Sequence, residues 1–318
     1  MNTHVWRALG VSLALALICA ASAQAQVPPD VAKQMRDAGP IDDALGTAKM
    51  YRPLQPGPDL NIRSSRDVSY GPHPRLLLDV STSVNQAAPT RPVLIFVAGG
   101  GGARSMRGPD GEPFFDNMLQ WAVKNGMAGV NIQRVTGAER SWEDQARDIG
   151  LAVTWVKRNI ARWGGDADRV FIWAHSNAME PVGAYIAHPE FHPADGVGLK
   201  GAVMLSGTMN ILPIRLNVPE GAAGRGQAPP PVDPDTLLKR ATLPGLRTTP
   251  VALFFGAGEI DTPGPAAFIP AIREELCKTT CPTTMVFKDY NHMATIFAPN
   301  TADSTMTGPI LKWMRSVP

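Results

Sequence analysis

The stretch Val170-Phe171-Ile172-Trp173-Ala174-His175-Ser176-Asn177-Ala178 passes from apolar to polar at a single step. Val170 to Ala174 has the length and character of a strand buried on both faces. Met179, Ala184 and Ile186 follow on a segment that reads as a helix. Ser176 then sits on a sharp strand-to-helix turn, with its hydroxyl above the end of a sheet and a helix N-terminus beneath it. Such a turn is crowded, so the positions two before and two after the serine must be small. Glycine is usual there; this chain has Ala174 and Ala178, the smallest substitutes. Ser176 is therefore the candidate nucleophile, set against the plainer reading of a buried structural serine.

Working outward, strand-like and helical runs alternate. Upstream, Ser141 and Asp144 form a capping-box start for a helix over 141–163, with Ile149, Val153, Val156 and Ile160 on one face and Gly164-Gly165 as the stop. Val93–Ala98 and Ala128–Ile132 read as buried strands, and between them Phe115, Met118, Leu119 and Ala122 recur at helical spacing. Ile62–Tyr70 and Arg75–Val80 flank Gly71-Pro72-His73-Pro74 as a hairpin-like pair. Downstream, Ala202–Leu205, Val251–Phe255 and Thr284–Phe287 are further strands, and helices are expected around Pro265–Leu276 and Pro309–Arg315. This alternation implies right-handed crossovers and a mostly parallel α/β sheet flanked by helices on both faces. Residues 26–60 read as an N-terminal arm with one short helix near Asp30–Asp37, and 61–318 as one α/β domain. Within it, 207–250 is a Pro/Gly-rich insert, either a lid over a site or a surface excursion. No internal repeat is visible.

A tetrahedral intermediate at an acyl carbon needs hydrogen-bond donors fixed beforehand. The backbone N–H of Asn177 is one candidate, and the loop Ala98-Gly99-Gly100-Gly101-Gly102 after Val93–Val97 offers others at Gly100 and Gly101. That loop lacks the Lys and Ser/Thr spacing of a phosphate-binding loop. The general base should be a histidine oriented by a carboxylate. His292 follows the last strand and can overhang the carboxyl edge; Asp261 follows Val251–Phe255 on the same edge, with Glu259 as the reserve acid. His73, His188 and His192, each before a proline, read as loop residues, and His175 is expected to point away from the serine. Met204, Met209, Phe254 and Trp142 could line an acyl pocket, though core packing is the better reading for each. Glu180, Asp166 and Asp168 read as first-turn and loop acids.

These segments resemble the α/β-hydrolase superfamily, within it the esterase/lipase group that includes carboxylesterases, feruloyl esterase-like and kynurenine formamidase-like proteins. The likeness is carried by Arg66–Gly71 with Leu78-Asp79-Val80, most specifically by the block from Trp142 to Ala178, and by the surroundings of Asp261 and His292. It implies an α/β-hydrolase fold, a triad in the order Ser176, Asp261, His292, and ester hydrolysis through an acyl-enzyme. Amide cleavage by the same machinery, or a non-catalytic binding protein on the same fold, are the alternatives. Two departures stand out: Ala98 replaces the histidine of the family's His-Gly-Gly-Gly loop, and Ala174 and Ala178 replace the elbow glycines.

At the other end, Arg7, the apolar run Ala8–Ala21 and Ala23-Gln24-Ala25 read as a cleavable leader over residues 1–25, so the chain is expected to be exported, periplasmic or secreted. Of three cysteines, Cys277 and Cys281 then remain, four apart, and read as a local disulfide. Without the leader, 293 residues are left (318 − 25), ample for a large core. The 30 Lys and Arg against 28 Asp and Glu give no basic patch for nucleic acid or anionic lipid. No further segment is long and apolar enough to span a membrane. No metal or cofactor site is expected; the partner is an ester, small or polymer-linked.

Overall fold

A computed structural model describes residues 26–40, 43–85, 90–107, 113–137, 140–213 and 233–318. The expected leader over 1–25 lies outside these residues. In chain order the strands are β1 (Ile62–Ser69), β2 (Leu77–Ser83), β3 (Arg91–Val97), β4 (Met106–Arg107), β5 (Pro113–Phe114), β6 (Ala128–Ile132), β7 (Gly165–His175), β8 (Gly201–Leu205), β9 (Ala252–Ile260) and β10 (Thr283–Asn291). Among the described residues, eight of them form one sheet in the order β1-β2-β6-β3-β7-β8-β9-β10, while β4 and β5 make a small separate ribbon. The sheet is parallel from β6 to β10. It is antiparallel at β1–β2 and β2–β6.

Alternation along β3 shows why these runs become strands. Val93, Ile95 and Val97 face one core cluster, which holds Ile149, Val153 and Phe268; Leu94, Phe96 and Ala98 face the other, with Met35, Met118 and Ile310. Period two thus sends successive residues to opposite layers, and both layers are apolar. Helices α4 (Trp142–Asn159), α5 (Met179–Ala187) and α8 (Pro263–Leu276) supply residues to the first cluster; α1 (Pro29–Ala38), α3 (Asp116–Lys124) and α10 (Thr307–Ser316) supply the second. The chain leaves β3 toward β6 and returns past it to β7. The loops after β3 and β7 therefore meet where the winding reverses, the place where such sheets open a crevice at their carboxyl ends.

Several expectations need adjustment. The capping box of Ser141 and Asp144 is formed, but α4 gives way to a 3-10 turn at Ile160–Trp163. Strand β7 starts at Gly165, five residues before its apolar run, because its first half lies toward the solvent-exposed end of the sheet, where Asp168 and Arg169 are exposed. Phe115 is not helical: it precedes α3 with φ 87° and turns to pack its ring on Phe96, 5.6 Å away. Residues 26–60 carry a second helix, α2 (Ala44–Tyr51), capped by Asp43. Met35 and Tyr51 are fully buried. Arg36 pairs with Asp289, and the buried Asn291 Nδ2 donates to Thr47 Oγ1 at 2.8 Å.

Of the 207–250 insert, 207–213 and 233–250 are described, including α6 (Pro234–Lys239) and α7 (Leu243–Leu246). Leu243 and Leu246 are buried in the first cluster. Glu180 does more than start a helix: its Oε2 accepts from Asn210 N–H at 2.7 Å and so ties the insert to α5. Helix α9 (Ala294–Phe297) follows β10, and Cys277 and Cys281 are joined as a disulfide just beyond α8.

Candidate active site

Ser176 follows the last residue of β7 directly and opens a 3-10 turn, Ser176–Ala178, that runs into α5. Its φ of 57° lies in the left-handed region, a costly conformation for a residue with a side chain and one that persists only where the surroundings fix it. Ala174 and Ala178 are both fully buried, so methyl groups fit where the elbow usually has hydrogens. The crowding moves instead to Gly99. A Cβ there would come 2.6 Å from Ser176 Cβ and 2.8 Å from the His175 carbonyl.

His292, on the turn after β10, places Nε2 3.0 Å from Ser176 Oγ and Nδ1 2.9 Å from Asp261 Oδ1. Asp261, immediately after β9, also accepts from Thr262 N–H at 2.7 Å. Burial works against its charge. The hydrogen bond and charge of His292, with the Ser206 hydroxyl and the Thr262 amide, outweigh that and hold the carboxyl below the ordinary range. Glu259 does not compete: it is exposed, and its Oε2 accepts from Asp289 N–H at 3.0 Å.

Further hydrogen bonds hold His292 in place. The His292 carbonyl accepts from Thr295 Oγ1 at 2.8 Å and from His175 Nε2 at 3.1 Å. The His175 ring lies against that of His292, with centroids 4.8 Å apart. Burial, and then the charge of His292, push its pKa down to about 3, so it stays neutral and donates through Nε2. Ser206, with φ 54°, and Thr295 are joined at 3.2 Å behind Asp261 and His292.

Across the crevice, Gly99, Gly100 and Gly101 line a pocket of about 420 Å³ with Ser176, Asn177 and His292. Among the described residues, neither Gly100 N–H nor Gly101 N–H meets an acceptor within the protein. The apolar wall comes from Met106, Phe115, Met293 and Ile296, with Ala44 of α2. Met204 and Phe254 lie in the core, and Trp142 packs on Phe191 at 5.6 Å. The described parts of the insert add no residue to this pocket. His73, His188 and His192 stand elsewhere: His192 bonds the Tyr185 carbonyl, and His188 stacks near Trp142. Asp166 and Asp168 bind Arg169 and Lys157. Among the described residues no cluster of His, Cys, Asp and Glu could hold a metal, and no helix is long and apolar enough to cross a membrane.

The sequence alone does not single out Arg134, Ser206, Thr295 or the pocket residues Ala44, Met106, Met293 and Ile296. Ser206 carries a local signal, the polar step directly after the apolar run Ala202–Leu205.

The BD-FAE family model matches residues 78–180. Over 153 residues the chain is 33% identical to Esterase LipQ of Mycobacterium tuberculosis, a stretch covering 45% of this chain and 35% of that protein. The chain spans about a third or less of the length of the curated relatives it matches. Among solved structures, esterase B of Lactobacillus rhamnosis aligns with a TM-score of 0.64 at 12% identity, covering 90% of this chain and 96% of that one. Thermogutta terrifontis esterase 2, phosphorylated by paraoxon, aligns at 0.56 with 14% identity over 80% and 92%. Identities this low speak to architecture: the chain has the α/β-hydrolase fold.

Proposed function

We propose that this protein is a serine hydrolase that cleaves carboxylic esters, with Ser176 as nucleophile, His292 as general base and Asp261 as its orienting carboxylate. The observation that carries this reading is the unbroken series from Asp261 Oδ1 through His292 to Ser176 Oγ, at 2.9 and 3.0 Å. His292 Nε2 takes the hydroxyl proton as Oγ bonds to the ester carbon, and the carbonyl electrons move onto oxygen. The N–H groups of Gly100, Gly101 and Asn177 receive that oxyanion. The intermediate collapses as His292 returns the proton to the departing alcohol, leaving an acyl group on Ser176. Water then repeats the sequence with the same base and frees the acid. Asp261 keeps the Nδ1 proton on His292 and balances the imidazolium without accepting the proton itself.

Among the described residues lining the pocket, the ionisable side chains are His292 and the neutral His175, so an uncharged ester suits it. Export fits the leader-like first 25 residues and the Cys277–Cys281 disulfide. Turnover of p-nitrophenyl acetate alongside the matching anilide tests the proposal. Ester hydrolysis should lead by orders of magnitude and vanish in Ser176→Ala. Faster anilide cleavage would replace ester with amide as the substrate; no turnover of either would favour a binding role.

A further inference from the structure

The loop facing Ser176 has no side chain from Gly99 to Gly102, so its peptide groups must be held by other means. Three consecutive peptide carbonyls lie in that loop, and each is engaged. The Ala98 carbonyl accepts from Arg134 Nε at 3.2 Å and Nη2 at 3.1 Å. The Gly99 carbonyl accepts from Gly102 N–H at 3.0 Å. The Gly100 carbonyl accepts from Asn177 Nδ2 at 3.1 Å. A trans peptide is planar with C=O and N–H opposed. Fixing the carbonyls of Ala98, Gly99 and Gly100 therefore fixes the N–H directions of Gly99, Gly100 and Gly101.

The two outer clamps are one unit. Arg134 Nη2 donates to Asn177 Oδ1 at 2.8 Å, and the same Asn177 amide donates onward to Gly100. Arg134 is 3% exposed, its hydrogen-bond partners here are neutral, and its own N–H binds the Gly102 carbonyl at 2.9 Å. Burial pushes its pKa down to about 10, which leaves it charged at neutral pH. A buried guanidinium is expensive to keep without a carboxylate. This one instead bridges the glycine loop to the residue after the nucleophile. The two groups of N–H donors, one on each side of the crevice, are thereby held at a set separation.

We infer that Arg134 and the Asn177 side chain together are the positioning device of the oxyanion site. They act on the donors and touch no reacting atom. The inference rests on the ester-hydrolase reading above.

The test uses the full chain with p-nitrophenyl acetate and an aryl trifluoromethyl ketone, whose serine adduct mimics the oxyanion. Asn177→Ala removes the bridge without stranding a large side chain and should lower kcat roughly tenfold to hundredfold, with KM nearly unchanged. Ketone affinity should fall by the same factor while the melting temperature holds. Arg134→Lys should retain part of the activity and Arg134→Met less, and the double variant Asn177→Ala with Arg134→Met should be little worse than Arg134→Met alone. An active wild type with Asn177→Ala at full kcat overturns the inference alone, as does additivity in the double variant. A wild type that neither turns over ester nor binds the ketone overturns the parent reading, and this inference with it. If Arg134→Met does not fold, Asn177→Ala and Arg134→Lys decide.

Discussion

The two sides of the crevice are held by different means. On one side, His292 and Asp261 stand at the ends of neighbouring parallel strands, and short side-chain bonds within one buried group fix them: Asp261, His292, Ser206, Thr295 and His175. On the other, Gly99, Gly100 and Gly101 have no side chains of their own, and the carbonyls that set their N–H directions are held from elsewhere: Ala98 by Arg134, Gly99 by Gly102 N–H and Gly100 by the Asn177 side chain. The first side is fixed by the residues that would do the chemistry. The second is fixed by two side chains, of Arg134 and Asn177, that would touch no reacting atom. Geometry on the first side thus depends on the reacting groups themselves, whereas on the second it can be altered while every reacting atom stays in place.

The largest contrast lies within the first side. Asp261→Asn should cost about 10⁴-fold in kcat, because an amide no longer dictates which His292 nitrogen carries the proton. Glu259→Gln, two residues away but turned to Asp289 N–H, should leave kcat within about twofold. Steady-state kinetics on the two variants side by side measures the difference; equal losses would contradict the assignment of the orienting carboxylate to Asp261 alone.

Next comes a contrast within the second side. Gly99→Ala puts a methyl against the His175 carbonyl and Ser176 Cβ, at 2.8 and 2.6 Å before any relaxation. It should cost about 1–3 kcal/mol of stability and most of the activity. A Cβ on Gly101 meets nothing within 4 Å, so Gly101→Ala should change stability by no more than about 0.5 kcal/mol. Urea unfolding of the pair checks both; a stable, fully active Gly99→Ala protein would show that the loop stands farther from the serine.

How much could be seen in advance follows the same division. Short apolar runs such as Val93–Val97 and Ala202–Leu205 announce buried strands, since nothing polar survives between two covered faces. Ser176, Asp261 and His292, which directly follow β7, β9 and β10, stand out as polar side chains at strand ends. Arg134 does not, because its role depends on a loop brought alongside by the β3–β6 pairing, and a lone arginine after a strand suggests only a solvated end. Helix α2 is two turns long with Gly46 inside it, too short for a periodicity, yet it supplies Thr47 to Asn291 and Ala44 to the pocket. Phe115 fits a helical spacing by count and breaks it in three dimensions, since its place is against Phe96.

A smaller effect separates the two sides by pH. His175, on the first side, has its pKa pushed to about 3 in the folded protein against 6.5 ordinarily. Below about pH 6.5 the unfolded chain takes up a proton that the folded one refuses. Stability from this group is therefore complete above that pH and falls as pH drops, by about 2 kcal/mol at pH 5. Asp261, whose carboxyl is held low, adds its own loss only in stronger acid. His175→Gln should flatten the pH 5–7 slope of the unfolding free energy, and an unchanged slope would mean the acid sensitivity arises elsewhere.

The central claim is that Ser176 is activated by His292. Treating the intact protein with paraoxon and mapping the phosphorylated peptide by mass spectrometry tests it most directly. One stoichiometric adduct on Ser176, absent in Ser176→Ala and slowed at least about a thousandfold in His292→Ala, is the expected result. An adduct on another residue, or labelling of Ser176 at the same rate without the imidazole, would contradict it.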